Sequence, residues 1–510
     1  MEEDGVRRLP RSSKPSAAIH RGGRFDSCPF RIKSGGADLR RLFSPRGTMD
    51  RKDPRACIPQ VEALLAAAEL QAYFKRLTRP LAALIIAETL ALFRKDLTAG
   101  AACDYVQAEA LLRCEAALAA ADKKRLGKVL NATGVVLHTN LGRSPLSPSA
   151  WSRIEAINTG YSTLEFNLDS GERGSRGGLV PDLLRLFSGA EAGLAVNNNA
   201  AAILLTLSAL ATGREVIISR GEAVQIGGGF RIPDILALSG ARLVEVGTTN
   251  ITTVEDYLEA LSPKTALVLV VHSSNFALRG FTERPILSRL AKALPPGLPL
   301  VVDQGSGAAG ENLPGEASIQ SLVRSGASLV CFSGDKILGG PQAGLIVGKA
   351  ELVKQLALHP LMRTFRPGKT IFSILEAVLV ERLGETSSPE PTTAVERAQA
   401  KAAEPGLAVL KAFGRKVLRS LPGDRVKLIA SKATIGGGSS PDEFVPSIAI
   451  SLTPLRSAER LAKALRNGST PIVARIEKEA VLLDLLTLAD EDSRLIVSLI
   501  SEALAMEAAR

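Results

Sequence analysis

The chain has 510 residues, 45% of them hydrophobic and 4% aromatic, with a formal net charge of +11 and a pI near 9.5. That length exceeds a single core and calls for roughly two to four domains, and so few aromatics exclude base stacking on single strands as a main binding mode. Five scattered cysteines with no CxxC pair exclude a disulfide framework and a zinc site; no metal is expected, and a reducing cytoplasm suits them.

Residues 1–48 hold eleven Lys/Arg against five Asp/Glu and no sustained hydrophobic period. This is the composition of a disordered basic extension, and Met49, directly after it, is the expected natural start. Roughly half of the basic excess lies in this tail, so charge alone leaves polyanion binding undecided.

Residues 49–128 read as a helical N-terminal domain, with an apolar helical period at Val61, Leu64, Leu65 and Ala68. The run Leu81–Phe93, interrupted by Glu88, is too short to cross a bilayer, and no membrane segment is expected. Lys75, Arg76, Arg79, Arg94, Lys95, Lys123, Lys124 and Arg125 form either a solvated helix surface or a polyanion surface.

From 129 to 395, short apolar runs alternate with helical stretches. Strands are expected at Gly193–Val196, Glu215–Ile218, Arg242–Val246, Ala266–Val271, Leu300–Val302, Leu329–Phe332 and Gly344–Val347. Unbroken apolar strands between helices predict a mostly parallel sheet covered on both faces. Residues 396–510 change character, with strands expected at Val426–Ala430, Ser447–Leu452, Ile472–Ile476 and Val481–Leu485, and helices at Ser457–Leu465 and Asp492–Ala505. This predicts a small α+β C-terminal domain. The stretch Glu385–Pro391 reads as a loop near the transition.

Three features of the middle region carry chemistry. Asn197–Ala202 follows a strand and opens the helix Ile203–Ala211, so its capping side chains, small residues and N-terminal N–H groups suit a phosphate monoester. Asp303 ends the strand Leu300–Val302 before Gln304-Gly305-Ser306-Gly307, where α/β proteins bind ligands. A carboxylate there can keep a pyridine nitrogen protonated. Lys336, in Ser333-Gly334-Asp335-Lys336-Ile337-Leu338-Gly339-Gly340, sits in a turn between two apolar strands and can form a Schiff base. Taken singly, these are an ordinary cap, a turn aspartate and a surface lysine. In this order they match fold-type-I enzymes of pyridoxal phosphate (PLP), with the cofactor against Asn199, Ala200, Ala201, Asp303, Ser333 and Lys336.

Arg143 lies in a tight loop after His138, and Arg363 and Arg366 are three residues apart. If 363–366 is helical, the latter two share a face. Three arginines converging on one pocket would bind a small multivalent oxyanion. His138, His272, Gln225 and Arg475 stay ambiguous, and the runs Gly227–Gly229 and Gly436–Gly438 lack a nucleotide fingerprint.

The motifs Asn131–Arg143, Asn197–Ala202, Ser219-Arg220-Gly221-Glu222, Asp303–Gly307 and Ser333–Gly340 resemble bacterial selenocysteine synthases, from about residue 55 to the C-terminus. The resemblance implies an α/β, fold-type-I (aminotransferase-like) PLP-dependent transferase with a helical tRNA-binding N-terminal domain. It further implies a homodecamer built from dimers, and conversion of seryl-tRNA(Sec) to selenocysteinyl-tRNA(Sec) with selenophosphate through an aminoacrylyl intermediate. By position, Lys336 matches the PLP lysine, and Arg143, Arg363 and Arg366 match the selenium-donor site. Gln225 stands where the family more often has Glu, and Pro367-Gly368-Lys369 where it often reads Val-Asp-Lys. The alternatives are a PLP lyase acting on a small free amino acid or amino sugar phosphate, which would not require the helical domain, and a tRNA-binding protein whose catalysis has decayed.

Overall fold

The computed structural model describes residues 53–100, 105–226, 230–272, 278–308, 316–384, 391–436 and 439–509. The basic extension, Met49, Cys28, Cys103 and the glycine run Gly227–Gly229 lie outside the described residues, as do 437–438 of the second run and 385–390 of the expected loop. The chain divides into two compact units, 1–126 and 127–510.

The first unit is helical. Arg79–Thr98 and Val106–Asp122 are its long helices, preceded by Val61–Leu65 and Gln71–Leu77. Ala82, Ile86, Leu90, Phe93 and Leu97 recur every three or four residues and are buried against Val106, Ala110, Cys114 and Leu118, as a helical stripe must be. The helical period at the start is shorter than expected: the helix ends at Leu65, and Ala68 is exposed.

The second unit contains the strands β1 (Leu130–Ala132), β2 (Val135–Leu137), β3 (Ala192–Val196), β4 (Glu215–Ser219), β5 (Gln225–Ile226), β6 (Phe230–Arg231), β7 (Arg242–Val246), β8 (Thr265–Val271), β9 (Leu300–Gly305), β10 (Leu329–Ser333), β11 (Gly344–Gly348), β12 (Val426–Gly436), β13 (Ser439–Leu452), β14 (Ile472–Glu477) and β15 (Ala480–Asp484). The central sheet runs β3-β11-β10-β9-β8-β4-β7. Only β11 is antiparallel, to both β10 and β3. Successive residues Leu267, Val268 and Leu269 of β8 are all buried, because helices cover both faces.

The smaller sheet runs β1-β14-β15-β13-β12-β2. Helices Ala394–Ala402, Gly406–Leu418, Ala458–Arg466 and Ser493–Ala508 bury one of its faces. β1 and β2, from the start of the unit, join this sheet rather than the central one. β12 and β13 are longer than their apolar runs, and in β12 the buried residues Ala433 and Ile435 lie beyond the run Val426–Ala430.

Candidate active site

β3, β8, β9 and β10 point their C-terminal ends the same way, and the chemically capable residues gather at that edge. Asp303 is in β9, paired across to Val271 of β8 and Cys331 of β10. It is 4% exposed, and Asn199 Nδ2 donates to its Oδ1 at 2.8 Å. Burial pushes the Asp303 carboxyl up, while the Asn199 hydrogen bond and the charges of Lys336 and His272 pull it down.

One residue further on, the pairing of β9 with β10 slips, so that Phe332 opposes Gly305 and Gln304 is left over. Such a bulge re-aims the extra side chain. Gln304 turns to Ser306 and, at 3.3 Å, to Glu316, while its Oε1 accepts from Gly307 N at 2.6 Å.

Lys336 lies in the connection between β10 and β11. The turn is closed by Gly340 N to Gly334 O at 2.8 Å and Gly339 N to Lys336 O at 3.1 Å, and Ile337 N donates to Ser306 O at 3.0 Å. Gly307 faces this turn with φ +75°; a Cβ there would come within 2.5 Å of Ser333 O, so only glycine fits. Ser333, the last residue of β10, is buried. Burial pushes the Lys336 amine down and Arg143 adds to this, while Asp303, Asp335 and Glu316 oppose it. No described residue accepts a hydrogen bond from that amine.

The helix Asn199–Ala211 begins where β3 ends. Asn198, not Asn199, is its cap, and its side chain accepts from Ala201 N at 2.9 Å. Two features of this helix start bear on the phosphate expectation. The Ala201 N–H is already used by the cap, leaving the N–H groups of Asn199 and Ala200 for a ligand. The Asn199 side chain serves Asp303 instead, and its Oδ1 is buried without a hydrogen-bond partner among the described residues.

The arginines fall into two groups. Arg143, at φ +63°, pairs with Asp335 beside Lys336. Arg363 and Arg366 belong to the segment against the start of the capped helix, where Asn197 N donates to Phe365 O at 2.9 Å. They do not share a helical face. The helix Leu361–Phe365 stops before Arg366, which is extended at φ −67°, ψ 132°, because the residue before a proline, here Pro367, disfavours the helical region. Arg363 is exposed. Arg366 contacts Glu165 at 3.2 Å, a carboxylate also held by Arg173 and Arg176.

The ambiguous residues separate. His272 N donates to Asp303 O at 2.9 Å, so this histidine belongs to the site. His138 lies before Arg143, and its carbonyl accepts from Arg143 N at 3.1 Å. Gln225 is exposed and accepts from Arg231. Arg475 braces the smaller sheet, donating to Thr133 O at 2.7 Å and pairing with Asp484 at 3.0 Å. Sequence reasoning missed Asp335 as the partner of Arg143, and Glu316. Neither has a spacing signal, since both are single acidic residues brought in by tertiary folding.

These residues fit PLP. A buried carboxylate on β9 calls for a cationic partner such as a protonated ring nitrogen. A helix start with two N–H groups suits a phosphate, and a desolvated amine suits a carbonyl.

Comparison with known proteins agrees in fold and family. A solved structure of D-glucosaminate-6-phosphate ammonia-lyase superposes with a TM-score of 0.54 at 22% identity, covering 75% of this chain and 97% of that one. That likeness shows the fold, which is the fold-type-I arrangement of PLP enzymes. An L-seryl-tRNA(Sec) selenium transferase from Solidesulfovibrio magneticus is 41% identical over 465 residues, 89% of this chain and 98% of that protein. Its namesake from Carboxydothermus hydrogenoformans is 39% identical, covering 85% of this chain and 94% of that protein. The profile of the L-seryl-tRNA selenium transferase family matches residues 129–489. With the motifs, the fold and these relatives in agreement, the chain belongs to the L-seryl-tRNA selenium transferase family.

Proposed function

We propose that this chain converts L-seryl-tRNA(Sec) to L-selenocysteinyl-tRNA(Sec), with selenophosphate as donor and PLP held at Lys336. The family match supports the reaction. The observation that carries the site is a desolvated lysine in a turn beside the buried carboxylate of Asp303. When bound, PLP supplies an electron sink for negative charge at the seryl α-carbon.

The rest is the work of the chain's own residues. Asn199 and Ala200 offer N–H groups to the cofactor phosphate, Ala201 and Ser333 line its seat, and Asp303 keeps the ring nitrogen protonated. With its amine free, Lys336 would take the proton from the seryl α-carbon; burial favours its neutral, basic form. The C–O bond at the β-carbon breaks and the oxygen leaves as water, carrying a proton from the same amine. Selenium from selenophosphate then bonds to the β-carbon. Water attacks phosphorus as the P–Se bond breaks, giving phosphate and a selenolate; the proton that this water loses recharges Lys336, which delivers it to the α-carbon.

Arg143, Arg363 and Arg366 are the donor's anion site. Arg173, Arg176 and Arg366 share a single carboxylate, Glu165, so positive charge is left over for a trianionic donor. The helical unit binds tRNA through exposed Lys75, Arg94 and Lys95. The protein acts in the cytoplasm as a homodecamer built from dimers, as the sequence resemblance implies. Among the described residues no helix is long and apolar enough to cross a membrane.

Lys336→Ala tests the assignment. Full-length protein loaded with PLP is expected to show visible absorbance and selenium transfer, and the variant to lose both. A variant that keeps the absorbance would refute Lys336 as the attachment point.

A further inference from the structure

Glu316 stands two residues before Ser318, the cap of helix Ile319–Arg324, and its side chain is 1% exposed. Its Oε2 accepts from Ser306 Oγ at 2.6 Å and from Gln304 Nε2 at 3.3 Å, and lies 3.9 Å from His272 Nδ1. Its Oε1 is buried and has no hydrogen-bond partner among the described residues. Two of its neighbours lead directly to the reacting groups. Ser306 accepts from Ile337 N, one residue past Lys336, and His272 N donates to Asp303 O.

A carboxylate this deep has a cost unless it is paired and hydrogen-bonded. Two hydrogen bonds to one oxygen, neither from a charged donor, leave that cost only partly offset. The Lys336 amine, whose charged form Glu316 favours, offsets part of the remainder.

We propose that Glu316 is a positioning residue of the active site: its buried carboxylate fixes His272 and the Gln304–Gly307 turn, and places a negative charge opposite the Lys336 amine. This rests on the reading of Lys336 as the cofactor lysine. The charged groups facing that amine are Arg143 from the loop after β2, Asp303 from β9, Asp335 from the same turn and Glu316. Arg143 alone among them opposes the protonated amine. Removing Glu316 therefore makes Lys336 easier to deprotonate. It also loosens the turn that carries it through Ser306 and Ile337.

The test uses full-length protein and two readouts besides turnover. The visible absorbance of the PLP-loaded protein is titrated with pH. In cofactor-free protein, Lys336 carbamylation by cyanate is followed over pH by mass spectrometry. Glu316→Gln is expected to lower both midpoints by about one pH unit and to lower kcat more than it raises KM for seryl-tRNA. Glu316→Asp, which keeps the charge but draws it back, is expected to lower them less. If Glu316→Gln does not fold, Glu316→Asp decides: a lowered midpoint supports the proposal. Unmoved midpoints in the folded variants, even with turnover lost, would overturn it by reducing Glu316 to a purely structural group. If the unaltered protein showed no visible absorbance, the Lys336 reading itself would fail, a distinct result.

Discussion

Asp303 and Asn199 form a unit that each residue alone does not explain. A carboxylate 4% exposed and hydrogen-bonded to a neutral amide is electrostatically unfinished, which is why a cationic ring nitrogen suits it. Asp303→Asn is expected to lower turnover on the order of 100-fold while leaving the fold's melting temperature nearly unchanged, measured by transfer assay and calorimetry side by side. Glu222, in the Ser-Arg-Gly-Glu motif, behaves differently. Burial pushes its carboxyl up to about 7, against a hydrogen bond from Val271 N and the charge of Arg284. The folded value lies above the unfolded one, so the folded state holds the extra proton between them. Stability is therefore greatest below the model-peptide value of 4.5 and falls as pH rises through about 7. The loss amounts to about 3 kcal/mol. Glu222→Gln, which keeps an acceptor for Val271 N–H, is expected to flatten that slope in urea unfolding at pH 5 and pH 8; an unchanged slope would assign the titration elsewhere.

Two elements shape the proposed phosphate and donor sites. The capped helix Asn199–Ala211 can tuck against β11 only because residue 344 has no side chain: a Cβ there would lie 2.1 Å from Asn198 O. Gly344→Ala is expected to destabilise the protein by about 1–3 kcal/mol and to weaken cofactor binding, read by fluorescence titration, since the helix start must shift. Pro367 sets the other element by ending the helix at Phe365, which turns Arg366 toward Glu165 and leaves Arg363 exposed. Arg363→Ala is expected to raise the KM for selenophosphate about 10- to 100-fold with PLP affinity unchanged; equal loss of both would remove Arg363 from the donor site. The sequence carried the existence of these elements well, because unbroken apolar strands and an Asn-rich helix start are local signals. It did not carry the cap's identity, since Asn197, Asn198 and Asn199 are chemically equivalent until β3 fixes which one turns. It also missed the end of the arginine helix, where the proline rule outweighs the spacing of Arg363 and Arg366.

At the scale of the whole chain, the helical unit and the catalytic unit answer to different forces. The first is held by a stripe of small and medium apolar residues, and Leu90→Ala there is expected to cost about 2–5 kcal/mol. Its Lys75, Arg94 and Lys95 are exposed; reversing all three charges is expected to weaken tRNA binding and flatten its salt dependence while PLP absorbance is kept. The strand order of the central sheet was legible as a class, mostly parallel and covered, but the membership of β1 and β2 in the smaller sheet was not. Their pairing with β14 and β12 joins residues some 300 positions apart, and no local pattern encodes that. Arg143 reaches Lys336 through Asp335 by the same kind of long-range closure. The most direct measurement incubates the full-length protein with PLP, seryl-tRNA(Sec) and selenophosphate, then identifies the amino acid esterified to the tRNA by mass spectrometry. Selenocysteine in the unaltered protein and serine alone in Lys336→Ala is the expected result; serine alone in both, with PLP bound, would contradict the account.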